Sequence, residues 1–281
     1  MRAELHAHTT ASDGQHTPAE LVALARALHL DMLAITDHDS TAGIEPAREA
    51  ARGALTLITG IELSAEDEGG DVHMLGYGIL PEDAALQAAL AGFRERRVSR
   101  AREIVERLNT LGAPVAWERV NTLAAGGSVG RPHVARALIE AGYAESVRDA
   151  FDRYLYTGGP AYVARKRLSP EDAIALIHRA GGAAVLAHPG VLPDWRGMVE
   201  RLLSAGLDGV EVAHPKNDES VRLNLRGLAA RYGLIMTGGS DFHGRAVSNA
   251  MLGSVAPPPG AVEGLRARAA QWQAERGSEA D

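Results

Sequence analysis

The stretch "ELHAHTTASDG", residues 4–14, sets His6 and His8 two positions apart and Asp13 five residues further on. Residues two apart on an extended strand share a face, so these imidazoles could address one ion or decorate a strand edge. The rest of the chain supplies partners of the same kind. Asp37, His38 and Asp39 fall in "TDHD", Glu62 in "TGIELS", His73 in "DVHMLGYG", His188 in "VLAHPG", His214 in "VEVAHP", and Asp241 and His243 in "GGSDFHG". With no cysteine in the chain, a metal site has to use imidazoles and carboxylates, a donor set that suits Zn²⁺, Mn²⁺ or Fe²⁺. The candidate ligands exceed what one ion can use, so two or three divalent ions are expected, with a carboxylate such as Glu62 bridging them. Such a cluster lowers the pKa of a bound water, giving hydroxide near neutrality.

Short apolar runs alternating with helical stretches must position these groups. Strands are predicted at 2–6, 32–36, 55–62, 72–77, 183–188, 209–214 and 234–240. Amphipathic helices are predicted from Thr17, Ser169, Asp194 and Asp218. The first two helices open on Thr or Ser, then Pro, then Glu, in which a hydroxyl caps the helix and proline fits its first turn. Apolar strands alternating with helices indicate a parallel sheet covered by helices. The expected fold is α/β, a distorted seven-stranded (β/α)7 barrel with a helical insertion domain. Its barrel comprises 1–83 and 166–281, and the insertion spans 84–165, which includes the glycine-rich "AAGGSVGRPH" and "YTGGPAYVARKR". In a parallel barrel the strand ends of one sense open on one face, so the His, Asp and Glu residues should converge there. "PPPG" at 257–260 reads as a rigid turn before a last helix, and the tail from Gly277 as loose.

Composition narrows the partners. Of the 281 residues, 46% are hydrophobic, as in ordinary globular chains, and no apolar run is long enough for a membrane span. The N-terminus carries no leader pattern, which makes a cytoplasmic location the default expectation. Residues 94–167 hold 14 Lys and Arg against 8 Asp and Glu, leaving 15 against 28 elsewhere. An acidic body with a basic middle segment suits an anionic ligand placed between cations and arginines. No obligate protein partner is evident.

The ordered series "HAHTTASDG", "TDHD", "GIELS", "DVHMLGYG", "GRPHVAR", "LAHPG" and "GSDFHG" resembles the PHP (polymerase and histidinol phosphatase) superfamily. It is most similar to the bacterial branch of nucleoside 3′,5′-bisphosphate phosphatases that also act as 5′-to-3′ exoribonucleases. The resemblance implies that His6, His8, Glu62 and Asp241 hold one ion, that Asp13, His38 and His243 hold a second, and that Glu62 with His73 and His188 holds a third. Other members of the superfamily often have histidine where this chain has Asp13. Asp37 and Asp39 are expected to orient their histidine neighbours. An amidohydrolase would need a lysine after the fourth strand, whereas the only lysines are Lys166 and Lys216.

The implied reaction is hydrolysis of a nucleotide phosphate monoester, foremost the 3′-phosphate of a nucleoside 3′,5′-bisphosphate. Trimming of short 5′-phosphorylated RNA is a related activity. Hydroxide held by the metals near Glu62 would attack phosphorus directly, and His214 would contact the phosphoryl group or protonate the leaving oxygen. Arg131 and His133 in "GRPHVAR" are expected to bind substrate phosphate, although Gly130 and Pro132 also fit a plain helix start. Histidinol phosphate is an alternative substrate, and a non-catalytic metal-binding or polymerase-associated module is an alternative class. His16, His29 and His178 read as structural, and Tyr154, Tyr156 and Tyr162 as packing residues.

Overall fold

The computed structural model describes residues 2–68, 70–124, 129–163, 168–244 and 250–279. Two compact units are present, one of residues 1–87 and 167–281 and the other of residues 88–166.

The first unit is built on a seven-stranded sheet whose spatial order follows the sequence: β1 (Ala3–Glu4), β2 (Met32–Ile35), β3 (Thr56–Asp67), β4 (Gly70–Tyr77), β5 (Ala183–Leu186), β6 (Gly209–Ala213) and β7 (Ile235–Gly238). A parallel bridge between Ala7 and Phe242 joins the two ends and nearly closes the sheet into a barrel. The bridge is made by His8 N–H donating to the Phe242 carbonyl at 2.9 Å and Phe242 N–H to the His6 carbonyl at 3.2 Å. Alternate strand residues, among them Ala3 and Leu5, Met32 and Ala34, Leu75 and Tyr77, and Ala183 and Val185, form one buried cluster. This is the period-two pattern of a sheet face. Ala261, Val262 and Leu265 of the C-terminal helix pack against it.

Two features depart from the sequence-based expectation. The sheet is not wholly parallel, because β4 runs antiparallel to both β3 and β5. Strand β3 also continues well past Glu62, which pairs with Leu75 inside the ladder instead of ending a strand. Both have one cause. Strands β3 and β4 form a hairpin with Asp67 opposite Gly70, so the chain turns back where a parallel sheet would need a helical crossover. The reversal brings the N-terminal half of β4, with His73, to the end of the sheet where its neighbours have their C-terminal ends.

The helices of this unit obey their caps. Helix α1 (Pro18–Ala27) opens on a capping box of Thr17 and Glu20. Helix α2 (Ile44–Ala51) was not anticipated. Helix α3 (Ala84–Thr110) begins here and continues into the second unit. Ser169, Asp194 and Asp218 cap α7 (Pro170–Arg179), α8 (Trp195–Leu202) and α9 (Glu219–Tyr232), and α9 closes on Gly233 at φ 67°. Helix α10 (Ala261–Glu279) follows the proline turn and stays helical through the stretch expected to be loose.

The described residues of the second unit carry helices and no strand. Helices α4 (Trp117–Leu123), α5 (Arg131–Glu140) and α6 (Val147–Ala150), with a π-helical turn at Phe151–Leu155, join the rest of α3. Their own core includes Ile104, Leu108, Val120, Val134, Leu138 and Leu155. Parts of the two glycine-rich stretches, 125–128 and 164–167 with Lys166, lie outside the described residues. No helix among the described residues is long and apolar enough to cross a membrane.

Candidate metal centre

The site is organised around Glu62, a fully buried carboxylate inside β3. Its Oε2 lies 3.3 Å from His6 Nε2, 3.2 Å from His8 Nε2 and 3.1 Å from His38 Nδ1. Its Oε1 lies 3.0 Å from His73 Nδ1 and 3.1 Å from His188 Nε2. Five imidazoles, from the ends of β1, β2 and β5 and from within β4, therefore meet one carboxylate, and each of its oxygens serves a separate group. Burial alone would push the Glu62 carboxyl up, but His38, His6 and His73 outweigh it and hold the group well below the usual carboxylate range. Burial disfavours charge on His8 as well, yet Asp241 and Glu62 lift it to about 9, while burial prevails at His38 and holds it down to about 3.

Asp241 closes the first group. Its Oδ1 is 3.5 Å from His6 Nε2 and 3.4 Å from His8 Nε2, so His6, His8, Glu62 and Asp241 present ligand atoms within 4.8 Å of one another. His8, Asp13, His38 and His243 form a second such group. Asp13 sits on the half-exposed turn after β1, with its Oδ1 3.3 Å from His243 Nε2. His38, Glu62 and His73 form a third group. His188, expected together with Glu62 and His73, meets Glu62 directly but falls outside that three-residue group, which takes in His38.

The chemistry of these atoms fits divalent cations. His6 Nε2, His8 Nδ1 and Nε2, His38 Nδ1, His188 Nδ1 and Glu62 Oε2 are buried, and none has a partner in hydrogen-bonding geometry. Buried polar atoms ordinarily do. Neutral imidazole nitrogens and carboxylate oxygens pointing at common centres are the donor set of Zn²⁺, Mn²⁺ or Fe²⁺ sites.

Surrounding groups fix the ligands in place, and several were not recognised from the sequence. Glu211, fully buried inside β6, faces His6 Nδ1 with Oε1 at 2.9 Å and accepts from His188 N–H through Oε2 at 2.7 Å. With its Nδ1 proton given to Glu211, His6 turns the Nε2 lone pair into the site. His6, Glu211 and His214 also approach one another, but His6 Nδ1 and Glu211 are already hydrogen-bonded together. Glu4, buried on β1, accepts from Ser240 N–H and Oγ–H and from Gly253 N–H, which ties β1 to the loops after β7. Gly239 allows this approach, since a Cβ there would lie 2.4 Å from that of His6. The only signal for the two glutamates was a charged residue inside an otherwise apolar strand, "AEL" and "VEV".

Asp37 departs from its expected role. It accepts from Thr9 N–H, Thr9 Oγ–H and Ser12 Oγ–H at 2.6–2.8 Å, and so holds the turn that carries Asp13 instead of a neighbouring imidazole. Asp39 accepts from Ser64 N–H at 2.9 Å, across from His73 in the β3–β4 ladder. Asp39, His188 and Asp241 adopt positive φ of 48°, 29° and 54°, a region that favours glycine.

The remaining residues are placed as follows. His214 Nε2 lies 3.5 Å from Asp241 Oδ2, and the Lys216 ammonium reaches the same oxygen at 3.0 Å. Within the second unit, Arg131 and His133 begin α5. Arg131 donates to the Leu155 carbonyl at 3.0 Å and stands over the Phe151 and Tyr162 rings, while His133 Nδ1 accepts from Gly130 N–H at 3.1 Å. This is the helix-start geometry, and it leaves the His133 Nε2 proton free to donate. His178 bonds Asp208 at 2.9 Å and stacks on Trp272, a structural arrangement. His16 packs by Phe242, and His29 ends a helix at φ 55°. Tyr154 packs on the second unit's core, whereas Tyr156 is half exposed.

The fold and this cluster of candidate ligands fit a metal-dependent phosphoesterase of the PHP type, and comparison with known proteins shows that family. The pattern of the PHP domain matches residues 4–157, and the chain belongs to that family. It is 42% identical over 247 residues to the 5′-3′ exoribonuclease Rnm of Salmonella typhimurium, covering 85% of this chain and 84% of the relative. It is 38% identical over 248 residues to the 3′,5′-nucleoside bisphosphate phosphatase of Chromobacterium violaceum, covering 85% and 86%. A solved structure from Bifidobacterium adolescentis, assigned as a metal-dependent phosphoesterase, superposes with a TM-score of 0.81 at 35% identity, over 95% of this chain and 96% of that one. The chain is thus a hydrolase of phosphoric esters.

Proposed function

We propose that this enzyme removes the 3′-phosphate of nucleoside 3′,5′-bisphosphates in the cytoplasm, and that the same site trims short 5′-phosphorylated RNA in the 5′-to-3′ direction. The observation that carries this reading is the Glu62 hub, whose two oxygens face separate sets of imidazoles as a carboxylate bridging several ions would. In this reading His6, His8, Glu62 and Asp241 hold one ion, Asp13, His38 and His243 a second, and Glu62, His73 and His188 a third. Divalent ions supply a water of lowered pKa and neutralise phosphoryl oxygens when bound. The residues do the rest. Glu211 keeps the His6 Nε2 lone pair directed inward, Glu62 joins the metal sets beside which the attacking water would be held, and His214 Nε2–H donates to the phosphoryl or leaving oxygen. Arg131, with its planar fork, and His133, through Nε2–H, bind a phosphate of the substrate. The identities of the two curated relatives support the substrate class.

Initial rates of phosphate release from adenosine 3′,5′-bisphosphate, histidinol phosphate and a 5′-phosphorylated trinucleotide test the substrate. The bisphosphate is expected to be fastest, and faster turnover of histidinol phosphate overturns that assignment. Single turnover in ¹⁸O-water is expected to label inorganic phosphate, whereas a trapped phosphoenzyme overturns direct attack by water. A metal-loaded protein that hydrolyses none of the substrates would instead be a metal-binding module.

A further inference from the structure

Asp241 divides its two oxygens between different tasks. Oδ1 faces His6 Nε2, His8 Nε2 and His243 Nδ1 at 3.4–3.5 Å. Oδ2 faces away from that cluster and meets His214 Nε2 at 3.5 Å and Lys216 Nζ at 3.0 Å. The segment bearing these two residues is tightly held. Arg222 donates to the His214 carbonyl at 2.8 Å, Asn217 Nδ2 donates to the carbonyls of Glu211 and Val212 at 2.9 and 3.1 Å, and Gly190 N–H donates to Asn217 Oδ1 at 2.8 Å. Lys216 N–H donates to His214 Nδ1 at 3.1 Å. That last bond decides the tautomer. An Nδ1 that accepts carries no proton in the neutral ring, so the proton sits on Nε2 and points at the same corner as the ammonium. His214 is thereby a donor there and not a metal ligand.

The Lys216 side chain is 54% exposed although its ammonium touches a carboxylate that is only 10% exposed. An ammonium has three N–H donors. One is spent on Asp241, and no other partner of the ammonium is found among the described residues. Lys216 is the sole lysine among the described residues of a chain otherwise served by arginine. A compact charge on a flexible stem follows an approaching oxyanion more readily than a planar guanidinium does.

We propose that Lys216, with the Nε2–H of His214, forms an oxyanion cradle for the reacting phosphoryl group and makes the site prefer a terminal phosphate monoester over a phosphodiester. This rests on the phosphoesterase reading given above. A terminal phosphate carries close to two negative charges near neutrality, a diester one, and attraction to a fixed cation scales with that charge. The lysine thus selects substrates by net charge at the phosphorus, independently of the leaving group.

The test compares wild type, Lys216→Met and Lys216→Arg, all loaded with Mn²⁺, on p-nitrophenyl phosphate and bis(p-nitrophenyl) phosphate. Metal content and calorimetric binding of inorganic phosphate are measured alongside. Losing one charge-assisted hydrogen bond predicts that K216M lowers the monoester-to-diester ratio of kcat/KM by about tenfold and weakens phosphate binding by about tenfold. K216R is expected to keep most of the preference, and metal content to be unchanged in both variants. Equal loss on the two substrates, or loss of bound metal, would show that Lys216 merely holds Asp241 and would overturn the proposal. An unchanged ratio would overturn it too. If wild type hydrolyses neither substrate, the phosphate titration alone decides the role of Lys216, and equal phosphate affinity in wild type and K216M overturns the proposal; failure on the nucleotide substrates above would overturn the proposed function separately.

Discussion

Replacing Glu211 by Gln is the sharpest probe of how the site is held. Glu211 answers two donors at once, with Oε1 facing His6 Nδ1 at 2.9 Å and Oε2 accepting from His188 N–H at 2.7 Å. Glutamine has the same shape but only one acceptor oxygen. Whichever way its amide turns, an NH₂ group faces either the His188 N–H or the His6 Nδ1–H. The His188 amide cannot change, so the imidazole must give way. His6 then carries its proton on Nε2, the atom that faces Glu62 and Asp241, and loses the lone pair a metal needs. One charge-assisted hydrogen bond at a buried site amounts to about 1.5–3 kcal/mol, or about 10–100-fold in metal affinity, the usual effect of losing a partner behind a ligating histidine. Competitive chelator titration of wild type and E211Q reads this directly, with thermal unfolding of both proteins in the metal-free and loaded states. Unchanged metal affinity in E211Q would refute the argument. So would equal destabilisation of the free and loaded forms, which would make Glu211 a packing residue only.

Three further outcomes are expected. Asp13→Ala should remove about one equivalent of metal and leave the rest bound, because Asp13 serves only the group with His8, His38 and His243; elemental analysis checks this, and loss of all metal or none would contradict it. Arg131→Ala should raise KM by about tenfold with metal content intact, as steady-state kinetics with elemental analysis will show. Ser169→Ala deletes the cap that accepts from Asp172 N–H at 3.0 Å. It should cost about 1 kcal/mol, lowering Tm by about 2–4 °C with kcat unchanged.

Much of the clustered His, Asp and Glu set was legible in the sequence because residue types able to bind metal recur where apolar strands stop. His6, His8, His38, His188 and Asp241 needed only the strand rhythm to be gathered at one end of a barrel. The direction of β4 was not legible, since alternation with period two reads the same along a strand in either sense. The turn signal in "DEGGD" at 67–71, between two such runs, was the available hint of a hairpin. Glu62 was expected among the clustered residues but placed at a strand end, because the run of residues after it is polar enough to read as a loop. Glu211 stayed hidden for a different reason. Its partner His6 is 205 residues away, and no local pattern announces which buried carboxylate will meet which imidazole. Lys216 resembled any surface lysine until the fold placed Asp241 beside it.

The left-handed backbone at Asp39, His188 and Asp241 sets two demands against each other. At each place the chain path would be served best by glycine, while the side chain is used: Asp39 accepts from Ser64 N–H, and His188 and Asp241 face the candidate cluster. Each such residue costs about 1 kcal/mol or more of folding stability relative to a relaxed backbone. A glycine at Asp241 would therefore relieve the chain as it abolished the site, so selection for thermal robustness alone would erode this enzyme from its centre outward. What the strain gives in return is rigidity. The loops cannot slacken into more comfortable shapes, and the ligand atoms already face one another before any ion or substrate arrives.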